Sequence, residues 1–335
     1  MINFGSVNIS QKTKVLMRKA LNEDKIGQSE YIAEFEVKFA QFLGVKHCIL
    51  TCNGTMADTI ALAVLKHLNP QKKKVLAPAL TFIAQINAIY YNQLEPIFYD
   101  ADEKIEITDD LLCIFPVHSL GVPSNILRQK WDIPVIEDAC EALGSKLNGK
   151  YCGAIGDMGT FSFFPSHTIS MGEGGAIVTN NDGYAELARK LRNHGKINNN
   201  DFHHDVIGFN GKISTMQAVI GLGFLDELEK LMEKRHKHYL FLGGKEKSDE
   251  YIVPHGFSVF SNLRDGRRLD LKLKGIDTRN YFSSIPTQEK AYAYLGYKLG
   301  DFPKAEWIGE HGFYVPCHQN LTKKELKYIK QCLSE

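Results

Sequence analysis

A succession of short apolar runs, each closing on a turn-forming or acidic residue, most limits the folds open to this chain. Cys48–Thr51 leads through Asn53-Gly54-Thr55 into the helical pattern MADTIALAVLKHL. Lys74–Ala77 precedes TFIAQINAIYY, Pro96–Tyr99 stops at Asp100, and Leu112–Val117, Pro134–Glu137 and Gly175–Thr179 repeat the theme. Strands alternating with helices over about two hundred residues predict an α/β fold with a mostly parallel sheet covered on both faces.

Beyond Ser214 the pattern changes. A long helical stretch, Ser214–Leu242, carries apolar residues at Met216, Val219, Ile220, Leu222, Leu225 and Leu228. After it come Tyr251–Phe260, a helix at Arg264–Leu273 and a closing helix at Lys323–Cys332, which read as a small α+β unit. At about 150 residues per domain, 335 residues suit two domains. The expected division is a large domain over residues 1–225, whose first ~20 residues pack on the other unit, and a small C-terminal domain over residues 226–335. A hydrophobic content of 44% is enough for a real core in each.

Charge excludes one class of partner. The 40 Lys+Arg balance 39 Asp+Glu, no basic stripe stands out, and nucleic acid is not an expected ligand. The seven cysteines are odd in number and scattered, which suits a reducing cytoplasm, and the amino terminus MINFGSVNISQKTK has no apolar signal core. Val75–Leu94 lacks charge but holds Pro78, Thr81, Gln85, Asn87, Asn92 and Gln93. That is too polar for a membrane span, and a buried strand followed by a core-facing helix is expected instead.

In sheets of this kind ligands bind at the carboxyl ends of the strands. Asn53-Gly54-Thr55 sits at one such end, where the first N–H groups of a helix can hold a phosphate; the same tripeptide also serves as an ordinary strand–helix turn. Glu137-Asp138-Ala139-Cys140-Glu141 places three carboxylates at another strand end, more than a turn needs, and one of them can face a cationic ring nitrogen. The run SFFPSH, Ser162–His167, leads into Gly172-Glu173-Gly174-Gly175 and reads as a shaped pocket.

Taken together, the order NGT, TF, EDACEALG, SFFPSH, GEGG and GFN resembles the DegT/DnrJ/StrS family, with the late segments GIDTRNYF and LGYKLGDFPKAE in keeping. The resemblance implies a fold type I, aspartate aminotransferase-like, pyridoxal 5'-phosphate enzyme acting on nucleotide-linked sugars, its large domain binding the cofactor. Carried over by position, Gly54, Thr55 and Ser162 form the phosphate cradle and Phe82 stacks on the pyridine ring. Asp138 pairs with the pyridine nitrogen, keeping it protonated so that the ring can accept electrons. Glu141 falls near the ring hydroxyl, where many relatives have Gln. Asn210 reaches the phosphate of a neighbouring subunit, which implies a homodimer with shared active sites.

One departure decides the expected chemistry. Five residues after the phosphate-binding Ser, the family's aminotransferases carry the lysine that links to the cofactor; here His167 stands there, and no lysine occurs between Lys150 and Lys190. Imidazole forms no stable link of that kind but acts as a base near neutral pH. The substitution resembles the family's sugar 3-dehydratases, with pyridoxamine 5'-phosphate held non-covalently. It implies removal of the C3 hydroxyl from a nucleotide-linked 4-keto-6-deoxy sugar, release of ammonia, and glutamate as the amino donor that restores the cofactor. Only Cys317 and Cys332 follow His167, too few for the iron–sulfur variant of this chemistry.

His194, Lys212 and His318 are further candidates at the substrate or behind the site, with His311 beside the last of these. His203-His204 reads as part of an Asn- and Asp-rich loop, Asn198–Asp205, and metal-ligand spacing is absent. Two other readings stay open: an ordinary sugar aminotransferase whose lysine lies elsewhere, and a non-catalytic member that binds cofactor or sugar nucleotide as a regulator.

Overall fold

Two helices open the chain. In the computed structural model, which describes residues 1–101, 105, 107–197 and 202–335, α1 (Gln11–Asn22) starts where the Ser10 hydroxyl caps Thr13 N. Helix α2 (Glu30–Leu43) buries Tyr31, Ile32, Phe35, Phe39 and Leu43 along one face and stops at Gly44, whose φ of 72° suits glycine. The alternation then begins, with β1 (His47–Thr51), α3 (Gly54–Leu68), β2 (Lys74–Pro78), α4 (Ile83–Tyr91), β3 (Glu95–Tyr99) and β4 (Leu111–Ile114). Next come β5 (Ile136–Asp138), the short pair β6 (Lys146–Leu147) and β7 (Lys150–Tyr151), then β8 (Met158–Ser162), β9 (Gly175–Thr179) and α5 (Asp182–Arg192).

Strands β3-β2-β4 are parallel neighbours, and β1-β9-β8-β5 form a second group. Parallel bridges Ile114–Val135 and Val117–Asp138 join β4 to the β5 edge, with Asp138 N donating to Pro116 O at 2.9 Å. Within this layer β9 alone runs against its neighbours, β1 and β8, so the expected mostly parallel α/β sheet is what forms. Its strands are buried on both faces and accordingly read as continuous apolar runs. The uncharged stretch Val75–Leu94 becomes β2, α4 and the turn into β3, and among the described residues no helix is long and apolar enough to cross a membrane.

The long helix expected over Ser214–Leu242 is two helices, α6 (Thr215–Leu225) and α7 (Leu228–Leu242). The break falls at Asp226-Glu227, where Glu227 N bonds Phe224 O in a tightened turn. Burial differs between the halves: α6 sinks Ala218, Val219, Leu222 and Phe224 into the core, whereas α7 adds Leu228, Leu231 and Met232 to it from one face and carries Leu242 into the C-terminal core.

The remainder comprises β10 (Glu250–Tyr251), β11 (Phe257–Phe260), α8 (Arg264–Leu273), β12 (Arg279–Asn280), α9 (Ile285–Gln288), α10 (Pro303–His311), β13 (Gly312–Val315) and α11 (Lys323–Ser334). Sheet β11-β13-β12 shares a core of Leu242, Leu271, Ile276, Phe313, Val315 and Ile329 with α8 and α11. The first residues join it, Ile2 N donating to Gly275 O at 2.7 Å, while α1 lies against α6. Ile285, Tyr292, Phe302 and Ala305 pack instead with Ile86, Ile89 and Phe98 of the large sheet's helical layer and β3.

Candidate active site

The cradle forms where β1, β8 and β9 end in register. Gly175 pairs with Thr51 on one side and Ser162 on the other. A β-carbon at Gly175 would come within 2.3 Å of the Asn53 carbonyl oxygen, so only glycine lets the turn after β1 fold back this tightly. The Asn53 side chain caps α3 by accepting from Met56 N at 2.8 Å. That leaves the first two helical N–H groups, on Gly54 and Thr55, without an intrahelical acceptor at the positive end of a helix. Ser162 stands directly beside them: a β-carbon on Gly54 would lie 2.9 Å from Ser162 Cβ and 3.1 Å from the Cys140 sulfur. The sequence does not mark β8 among its apolar runs, yet this strand delivers Ser162.

Of the three acids at this strand end, Glu137 and Asp138 belong to β5 and point to opposite faces, as strand alternation requires, and Glu141 follows the strand. Glu137 is fully buried and accepts hydrogen bonds from Gly153 N (2.8 Å), Ile155 N (2.6 Å), Gly156 N (2.7 Å) and His118 Nε2 (2.9 Å). His118 Nδ1 accepts from Ser124 N, which leaves the ring proton on Nε2, toward Glu137. Burial disfavours charge on His118 while Cys152 and Glu137 favour it, and the contact at Nδ1, which needs a bare nitrogen, keeps the ring neutral. This pair is a buttress beneath the site.

Asp138, on the face opposite Glu137, is 5% exposed, with Oδ1 accepting from Cys140 N at 3.1 Å. Burial raises it above the usual carboxylate range. Sequence reasoning missed its neighbour, Asp58, one turn inside α3. Polar atoms of Asp58, Asp138 and Cys140 lie within 4.8 Å of one another, and Asp58 Oδ1 is buried without a hydrogen-bond partner. Desolvation, then the Asp138 charge, drive Asp58 well above its ordinary value. An acid in the otherwise apolar ALAVL-type helical pattern was the signal available for it. Glu141 accepts from Leu120 N at 2.7 Å, and burial pushes it up to about 8.

His167 sits in the turn between β8 and β9, its N–H bonded to Phe164 O at 2.9 Å. Nδ1 is buried and has no hydrogen-bond partner. Burial, then the Arg235 charge, push the imidazole down to about 3, so at neutral pH it is an uncharged base. Two residues from distant segments, invisible to sequence reasoning, surround it. The His255 ring lies 4.8 Å from that of His167, and Arg235, 1% exposed on α7, donates to Ser166 O at 3.1 Å.

The remaining candidates disperse. Phe82 precedes α4, 54% exposed, with its ring 5.7 Å from Phe282. Asn210 is exposed and bridges to Asn193, and Lys212 Nζ donates to both side chains, at 2.7 and 3.0 Å. Exposed His194, φ 61°, turns the chain after α5, and no contact ties it to His167 among the described residues. His318 is engaged by the backbone on both sides of its ring. Nδ1 accepts from Asn320 N and Nε2 bonds Asn3 O at 3.1 Å, so neither nitrogen is free for substrate. His311 stacks on Trp307, and His203 and His204 are exposed; residues 198–201 of that loop lie outside the described residues.

Known proteins resemble this chain over nearly its whole length. The model of the DegT/DnrJ/EryC1/StrS aminotransferase family matches residues 8–334. GDP-perosamine synthase of Escherichia coli O157:H7 is 30% identical over 98% of this chain and 96% of its own. Among solved structures, a putative sugar aminotransferase of Streptococcus pneumoniae in its PMP form superposes with a TM-score of 0.90 at 20% identity, covering 99% of this chain and 96% of that one. A mutant GDP-4-keto-6-deoxymannose-3-dehydratase with bound GDP-perosamine superposes with a TM-score of 0.89 at 23% identity, covering 99% and 100%.

Proposed function

The chain belongs to the DegT/DnrJ/EryC1/StrS aminotransferase family, and from that premise we propose that it is a 3-dehydratase of nucleotide-linked 4-keto-6-deoxy sugars, using pyridoxamine 5'-phosphate and releasing a 4-keto-3,6-dideoxy sugar and ammonia. One observation carries the reading. Where an aminotransferase of the family needs a lysine, a buried, uncharged imidazole stands at His167, and no lysine lies between Lys150 and Lys190.

The residues present fit the cofactor: an anion cradle that a β-carbon at Gly54 would fill, a buried carboxyl at Asp138, and an unpartnered imidazole nitrogen. When bound, pyridoxamine phosphate supplies an amine for the sugar ketone and a ring that accepts electrons. Gly54, Thr55 and Ser162 hold its phosphate, and Asp138 neutralises the ring nitrogen. Phe82 would stack on the ring, and Glu141 would serve the ring hydroxyl. His167 takes up the proton whose removal allows the C3 hydroxyl to leave. Glutamate restores the amine after each turnover. We take residues 1–225 as the cofactor domain and 226–335 as the small domain. Asn210 reaches the phosphate of the neighbouring subunit in a cytoplasmic homodimer, a reading supported by Phe202 and Ile207, 84% and 97% exposed in the same segment, and Lys212 meets a carboxylate or phosphate of the substrate.

The competing reading is amine transfer, favoured by the resemblance to a GDP-perosamine synthase. The test is incubation with nucleotide-linked 4-keto-6-deoxy sugars, glutamate and cofactor, followed by borohydride reduction and peptide mapping. Ammonia with no pyridoxyl-labelled lysine is the expected outcome. An amino sugar product with a labelled lysine would establish the aminotransferase instead, and cofactor binding without turnover would point to a regulator.

A further inference from the structure

We propose that His255 is a positioning residue for His167: its ring walls off the buried, unpartnered nitrogen of the His167 imidazole. The role rests on the reading of His167 as the base, but the contact exists whether or not that reading holds.

A buried nitrogen with no partner persists only where water is kept out and no nearby group can turn to meet it. His255 supplies that exclusion. It is 5% exposed, its ring 4.8 Å from His167 and tilted by 45°, with Phe4 at 5.3 Å and Tyr314 at 6.2 Å closing the other sides. Its Nε2 lies 3.7 Å from Glu141 Oε1. The two sites implied by sequence at Glu141 and His167 therefore meet through a residue the sequence did not single out.

The spacing of the two imidazoles is fixed by one guanidinium. Arg235 donates to Ser166 O, next to His167, at 3.1 Å, to Pro254 O at 2.9 Å and to His255 O at 3.4 Å, while Gln319 Oε1 fixes its Nε at 2.6 Å. Both histidine-bearing segments thus hang from α7. The charged and titratable groups facing the pair are Glu141 after β5, Arg235 on α7, Arg279 on β12 and Tyr314 on β13. Burial disfavours a proton on either ring, and Arg235, joined at His255 by Arg279, acts in the same direction, so both histidines are held below their ordinary range.

The experiment is histidine-ring NMR on the full-length, cofactor-loaded protein, with the His167 signal assigned by its loss in His167→Asn. In the wild type this signal does not titrate between pH 5 and 8. In His255→Ala water reaches the nitrogen, and the midpoint climbs by about two pH units into that window. His255→Phe, which restores a ring, returns it to the non-titrating state. His255→Gln removes the ring at similar volume and carries the test if the alanine variant does not fold. A His167 signal unchanged in the ringless variants, or a phenylalanine variant that titrates like them, overturns the proposal. Ammonia release bears on the dehydratase reading alone, so the two can fail separately.

Discussion

Asp58 and Asp138 place their carboxyl groups in one buried pocket, within 4.8 Å of each other and of the Cys140 sulfur. Two ionised carboxylates so close in a dry site would repel strongly, and Asp58, held up by desolvation and by Asp138, is the one that keeps its proton. Because its folded value lies above the unfolded one, its contribution to stability is complete at acid pH and is lost as pH rises through the folded value. Asp58→Asn removes that loss. Urea denaturation should show the variant more stable than the wild type by about 1–3 kcal/mol at pH 8, with a smaller difference at pH 5. Equal effects at both pH values would dispose of the argument.

Glu137 is the opposite case, a buried acid with every lone pair used. Its carboxylate gathers three backbone N–H groups of the turn after β7 and the His118 ring. Removing one partner of a buried pair leaves the other uncompensated, so Glu137→Ala should cost about 3–5 kcal/mol in denaturant unfolding. Because Glu137 precedes Asp138 in β5, the loss should also weaken cofactor binding; a variant as stable as the wild type would show that the turn finds other acceptors.

These two acids show how far the sequence could be read. The apolar runs located most of the large sheet's strands, because strands buried on both faces carry an unbroken apolar signature. Glu137, Asp138 and Glu141 were recognisable as a cluster, but which of them faced the pocket depended on strand alternation and on a turn that only the fold brings near. Asp58 carried a faint local signal, whereas His255 and Arg235 carried none: they reach His167 from segments about 70 to 90 residues away, and no local pattern encodes such a contact. The single helix expected over Ser214–Leu242 failed for a related reason. Both of its halves are helical in pattern, and they differ in how each is buried on either side of the break at Asp226-Glu227.

Gly54 tests the cradle without removing an ionisable group. Its missing β-carbon is what lets Ser162 approach the start of α3, and an added methyl would press on Ser162 Cβ at 2.9 Å and the Cys140 sulfur at 3.1 Å. Gly54→Ala should therefore weaken pyridoxamine phosphate by about tenfold or more, about 1.4 kcal/mol, by fluorescence titration, and the overpacking should cost about 1–3 kcal/mol in thermal unfolding, partly offset by alanine's better helix propensity. Unaltered affinity would place the phosphate elsewhere.

His167→Asn separates chemistry from binding. The phosphate and ring-nitrogen contacts lie on other residues, so cofactor affinity should stay within a few fold, whereas ammonia release should fall by at least about a hundredfold, the usual range for a lost general base. The same variant has a signature in folding. Wild-type His167 is held down to about 3 by burial and by Arg235, so its neutral form contributes stability above the ordinary histidine value, and that contribution is lost as pH falls toward the folded value while the unfolded chain takes up a proton. Asparagine does not titrate, and the slope of stability against pH between about 6.5 and 4 should be shallower in the variant. Parallel slopes in the two proteins would mean that His167 takes up its proton in the folded protein as it does in the unfolded chain, and that burial and Arg235 do not hold it down.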